Sequence, residues 1–144
     1  MGMTARQRVW ERAEGRSELS GVPLRASDWE CHHRRPAGKG GHAPADQQSL
    51  ANQVALTPRE HNMDPRSVHL DPRWGKSIGF LLPRGQGLAS IPHLVPIWWR
   101  GREWRYLTAS GVYVPVGAGA RPQRAGGTAA GERTQETTRR RAPG

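Results

Sequence analysis

Six histidines stand at positions 32, 33, 42, 61, 69 and 93, and four of them bracket an asparagine in the order His32-His33, Asn52, His61, His69. A neutral imidazole is a good ligand for a divalent cation. Adjacent histidines on an extended segment point to opposite sides, so one can hold a metal while the other faces a substrate. That division suits a one-metal hydrolase, in which a histidine with an ordinary pKa of about 6.5 takes a proton from water. His42 and His93 have no patterned partner and are expected to be solvent-exposed. Cys31 is the sole cysteine, which excludes an internal disulfide and an all-cysteine zinc site.

Short elements must position these side chains. Residues 4–15 are rich in helix formers and charges, with Gly15 as a stop. Gly21 and Pro23 mark turns, and Ala26 to His33 reads as a short strand ending in the histidine pair. Residues 34–48 form a polar, glycine-rich loop. Ser49 to Thr57 alternates Leu50, Val54 and Leu56 with polar partners, as a second strand would. Asp64-Pro65 and Asp71-Pro72 are two helix-start signals seven residues apart, so any helix here is short. Ile78 to Leu82 is expected as a strand. Residues 96–107 read as a hairpin turning at Arg100-Gly101, with Trp98 and Trp99 on opposite faces and a third strand at Val112 to Val116. The expected organisation is a lead-in over 1–24, a core over 25–82, a hairpin extension over 83–116 and a disordered basic tail over 117–144.

The composition fits one small domain. The chain has 144 residues, Lys+Arg 22 against Asp+Glu 12, a formal charge of +10 and only 35% hydrophobic residues. Gly 18 and Pro 12 argue against a helical bundle, since helix interiors tolerate neither. No apolar run approaches the ~18 residues of a membrane span, and the charged N-terminus is unlike a secretory signal. A cytoplasmic protein with no membrane partner is expected. The charge excess favours a polyanion as partner, nucleic acid first.

The run His32-His33-Arg34-Arg35-Pro36, then Gly40-Gly41, then Ala51-Asn52-Gln53-Val54-Ala55-Leu56-Thr57-Pro58-Arg59-Glu60-His61 resembles the HNH endonuclease family. It is similar to the H-H-x-x-P…G-G…N-x-x-x-x-T-P-x-x-H pattern of the nuclease colicins. It resembles still more the small HNH proteins of actinobacterial phages, over roughly residues 8–82. The resemblance implies an α+β protein with a ββα-metal core, in which a strand hairpin and a helix hold one divalent ion (zinc, magnesium, manganese or nickel). By position, His32 and His61 would be metal ligands and His33 the general base. Asn52 would hydrogen-bond across the hairpin and steady the loop that carries the base. Arg34, Arg35, Lys39, Arg59 and Arg66 are expected phosphate contacts, which position DNA without reading its sequence. Phage relatives are often linked to genome packaging, which makes the terminase machinery a candidate partner. A noncatalytic DNA-binding or packaging accessory with a degenerate site is the alternative function, and RNA the alternative substrate.

The chain departs from the family pattern twice. Many relatives carry two C-x2-C pairs around a structural zinc; here those positions are Ser17 and Ser20, then Thr57 and Glu60. The expectation is a version held by packing alone, with Cys31 a small buried residue. Relatives also place their last two ligands four residues apart, whereas His61 and His69 are eight apart. On one continuous helix that is a rise of about 12 Å, too far for two nitrogens each about 2.0–2.1 Å from one ion. A chain break at Asp64-Pro65 would resolve this, with His61 at a loop end and His69 on a short helix starting near Pro65. His69 is therefore the expected third ligand, with Asp64 as the alternative and Asp71 behind it.

Overall fold

The structure, a computed structural model, describes residues 2–36, 49–85 and 87–117. Lys39, Gly40, Gly41, His42 and the tail beyond Gly117 lie outside the described residues. Helix α1 (Ala5–Ala13) opens on a capping box: the Thr4 hydroxyl accepts from the Gln7 amide while the Gln7 side chain accepts from the Thr4 amide. It closes as Glu14 and Gly15 both turn left-handed. Its inner face buries Val9 and Ala13 against Trp29, Leu50 and Ala55, a small apolar cluster at one side of the molecule.

Strand β1 (Glu30–His33) pairs antiparallel with β2 (Gln53–Leu56), in a register that sets His32 against Val54 and His33 against Gln53. The first strand is shorter than the sequence suggests. The segment before it is occupied by turns, with Arg25 and Asp28 bridged to each other. In the second, Leu50–Asn52 forms a single 3-10 turn capped by Ser49, so Asn52 precedes the strand. All four residues of β2 are buried. Val54 and Leu56 enter the larger core while Ala55 enters the small cluster, so both faces of this strand are covered and no polar face exists.

The larger core gathers Val54, Leu56, Val68, Ile78, Phe80, Leu81, Ile97, Trp99 and Leu107. Residues 78–82 line it without forming a strand. Asp71 caps helix α2 (Pro72–Ser77), accepting from the Trp74 amide. No helix starts at Pro65, where the chain runs through turns instead. Strands β3 (Ile97–Trp99), β4 (Glu103–Leu107) and β5 (Tyr113–Pro115) form a separate antiparallel sheet in that order. The β3–β4 turn has positive φ at both Arg100 and Gly101, the type I′ geometry that suits a tight hairpin. Trp98 is half-buried and meets the ring of Trp104 across the strands, at 5.1 Å between centroids. The protein is thus α+β with two small antiparallel sheets. Among the described residues no helix is long and apolar enough to cross a membrane.

Gly79 joins the two halves. It has φ +80°, and a Cβ there would sit 2.0 Å from the Pro96 carbonyl oxygen, so only glycine lets the 78–82 segment lie against β3. The adjoining carbonyls point back toward β1: that of Gly79 accepts from Arg34 and that of Phe80 from His32.

Candidate metal centre

Strand β1 and the doubled-back segment after β2 bring His32, His61 and His69 together. Each can offer a ring nitrogen such that all three nitrogens lie within 4.8 Å of one another. The ring centroids are 5.1, 5.1 and 4.7 Å apart. Two bonds of about 2.0–2.1 Å to a shared ion span at most about 4 Å, so this spacing is close to that of a coordinating set.

The local chain explains how histidines eight positions apart meet. After Pro58, Arg59–Met63 makes one wide turn, broken at Asn62 by a non-helical φ of −157°. The chain then doubles back. The Val68 amide donates to the Glu60 carbonyl and the His69 amide to the His61 carbonyl, at 2.9 and 3.1 Å. Val68 is fully buried in the larger core and anchors this return. His69 consequently reaches the cluster from a turn and not from a helix beginning near Pro65. Asp64, the alternative third ligand, is outside the cluster; its carboxylate pairs with Arg59 at 2.7 Å. Asp71 is occupied in capping α2.

His32 is almost completely buried, and its Nε2 lies 2.7 Å from the Phe80 carbonyl oxygen. A carbonyl only accepts, so Nε2 carries the proton and Nδ1 keeps its lone pair. Burial pushes the His32 pKa down to about 3, against the opposing pull of that hydrogen bond. Burial also lowers His61, with the neighbouring His69 adding to the effect. Both are therefore neutral at physiological pH, the form that ligates a cation. Nδ1 of His61 is buried without a hydrogen bond among the described residues. Three imidazoles form a donor set that fits a divalent transition metal.

Around the cluster, His33 is half-buried and depressed below the ordinary histidine pKa by that burial. It follows His32 on β1 and so projects to the other side of the strand. Asn52 is fully buried; its Oδ1 accepts from the Arg35 amide at 2.8 Å and its carbonyl from the Arg34 amide at 2.7 Å. These bonds tie the segment after His33 to the start of β2.

Two of the expected phosphate contacts are corrected by the structure. Arg34 is completely buried, and its guanidinium donates to the carbonyls of Gly79, Ala51, Pro92 and Val95. Burial lowers its pKa to about 9, which leaves it charged at neutral pH. Arg35 is 3% exposed and donates to the Gly85 carbonyl. Neither can reach a nucleic-acid backbone. Arg59 is exposed and paired with Asp64, and Arg66 is exposed with its guanidinium over the Trp74 ring.

The second correction concerns Ser17, Ser20, Thr57 and Glu60, the positions that stand where the HNH pattern the chain resembles has cysteine pairs. Packing alone does not hold this region. The Glu60 carboxylate accepts from the hydroxyls of Ser17 and Ser20 and from the Thr57 amide, while the Thr57 hydroxyl accepts from the Glu60 amide. One carboxylate thus clasps the lead-in to the turn that carries His61. Cys31 is half-buried with its Sγ 3.4 Å from Gln53 Oε1, and it lies outside the histidine cluster. Sequence reasoning also passed over Glu30, whose Oε1 lies 3.5 Å from His61 Nδ1. Its place two residues before His32 on a strand was the available signal, since alternate residues share a face. No family model matches the chain, and neither the curated proteins nor the solved structures contain a match to it.

Proposed function

We propose that this protein is a metal-dependent endonuclease of the HNH type, with a ββα-metal centre, that hydrolyses DNA phosphodiester bonds. The observation that carries this reading is the convergence of His32 on β1 with His61 and His69 on the doubled-back segment into one donor set. The resemblance of the His-His…Asn…His run supplies the reaction class. A divalent ion bound there would stabilise negative charge on the scissile phosphate and on the departing sugar oxygen.

The chain's own residues have distinct roles in this account. His33 accepts a proton from the attacking water; its lowered pKa keeps the imidazole neutral and able to do so at physiological pH. Asn52 fixes the segment following His33 through the Arg35 amide. His32, His61 and His69 hold the cation. Arg59, exposed two residues before His61, and Arg66, exposed between His61 and His69, supply positive charge for the phosphate backbone. A phage origin and a link to genome packaging follow from the resemblance alone and belong to the same proposal.

The test is a supercoiled-plasmid assay with and without divalent ions, with RNA digested in parallel. The wild type is expected to nick or cut DNA only with a divalent ion, and His33→Ala to be slower by about 10²–10⁴-fold. An equally active variant removes the assignment of the base. Salt-sensitive DNA binding without cleavage under any ion identifies an accessory protein, and preferential digestion of RNA corrects the substrate.

A further inference from the structure

The histidines of the cluster are not held alike. His32 is fixed by the Phe80 carbonyl. Nδ1 of His61 is buried and makes no hydrogen bond among the described residues, yet the Glu30 carboxylate lies 3.5 Å from it. That is about 0.6–0.8 Å beyond the ~2.7–2.9 Å of a charge-assisted hydrogen bond, and a rotation of the half-exposed Glu30 side chain closes it. Strand alternation places Glu30 on the same side of β1 as His32, and pairing with Leu56 fixes its backbone. Its carboxylate has no other partner among the described residues.

From this geometry we infer that Glu30 is a positioning residue for His61: its carboxylate accepts a hydrogen bond from Nδ1–H, fixes the ring and leaves the Nε2 lone pair for the cation. The inference rests on the metal-centre reading and names a residue that acts on the metal only through another. A ligating histidine whose second nitrogen donates to a carboxylate is held in one tautomer and made a better donor, and loss of such a partner typically costs 10–100-fold in metal affinity. His32 would meet the same cation through Nδ1 and His61 through Nε2, so the two rings approach it by different edges.

The experiment uses the full chain in wild-type, Glu30→Ala and Glu30→Gln forms. Nitrogen-15 NMR of the histidine rings in the metal-free protein reads the His61 tautomer, and titration with Co2+ reads affinity. The expected result is an Nδ1–H tautomer for His61 in the wild type and a shift toward Nε2–H in Glu30→Ala. Co2+ binding should weaken about 10–100-fold in Glu30→Ala, while Glu30→Gln, which keeps an acceptor oxygen, retains the tautomer and most of the affinity. An Nε2–H tautomer in the wild type overturns the inference. So does Glu30→Ala with an unchanged tautomer and unchanged affinity. Failure of the wild type to bind Co2+ defeats the nuclease proposal instead, and the tautomer of metal-free His61 still decides the role of Glu30.

Discussion

At the scale of single residues, His69 has a different standing from its partners. It is exposed and sits on a turn, while His32 is enclosed by the core and His61 is half-buried. Removing an exposed side chain usually changes stability by no more than about 0.5 kcal/mol. A ligand, by contrast, affects stability through the ion it holds, because binding to the folded state alone raises the melting temperature. His69→Ala is therefore expected to melt like the wild type without metal and to lose most of the stabilisation produced by a divalent ion. Asp64→Ala should keep that stabilisation, since Asp64 faces Arg59. Thermal scans with and without Zn2+ check both. Full metal-dependent stabilisation in the histidine variant would remove His69 from the ligand set.

At the scale of elements, the cluster depends on hydrogen bonds that close turns and join segments. The return from His61 to His69 closes through two amide–carbonyl bonds, and the Glu60 carboxylate ties its first residues to Ser17 and Ser20. The other support is the 78–82 segment, whose Phe80 carbonyl holds His32 and whose path requires Gly79. Gly79→Ala would place a methyl group inside contact distance of the Pro96 carbonyl at a φ of +80°. The expected cost is about 3 kcal/mol or more, beyond that of an ordinary glycine substitution, because the backbone strain and the clash act together. Urea unfolding measures it. Metal affinity should fall in the same variant, since the shifted segment carries the carbonyl that orients His32.

At the scale of the whole molecule, two buried charges join regions distant in sequence. Glu18 has no exposed surface; it accepts two bonds from Arg12, one from the Tyr113 hydroxyl and one from the Ala55 amide. It thereby links α1, β2 and β5. Arg34 links β1 to residues 51, 79, 92 and 95 through carbonyls alone. The formal charge of +10 thus overstates what is offered to a polyanion. Arg34→Ala is expected to destabilise the fold by about 3–5 kcal/mol, combining a large cavity with unpaired buried carbonyls. Arg66→Ala should leave the melting temperature nearly unchanged and reduce the salt dependence of DNA binding by about one phosphate contact. Calorimetry and binding isotherms across a salt series separate the two. An Arg34 variant that folds normally and binds DNA weakly would restore it as a phosphate contact.

The order of His32-His33, Asn52, His61 and His69, the helix over α1 and the hairpin at Arg100-Gly101 were all legible in the residues, because each rests on local chemistry. Capping, turn conformation and side-chain type act within a few positions. The break between His61 and His69 was legible from Asp64-Pro65, but its form was not: the chain closes on itself through backbone bonds and the anchoring of Val68. The same limit hid the fate of Arg34 and Arg35. Their charge reads as surface in any local window, and only the arrival of four carbonyls from separate segments makes burial of a guanidinium tolerable for Arg34. The sequence alone determined which side chains are available for chemistry. Tertiary structure decided which of them meet and which charges are consumed inside, because burial and long-range hydrogen bonds depend on segments that local propensity does not see.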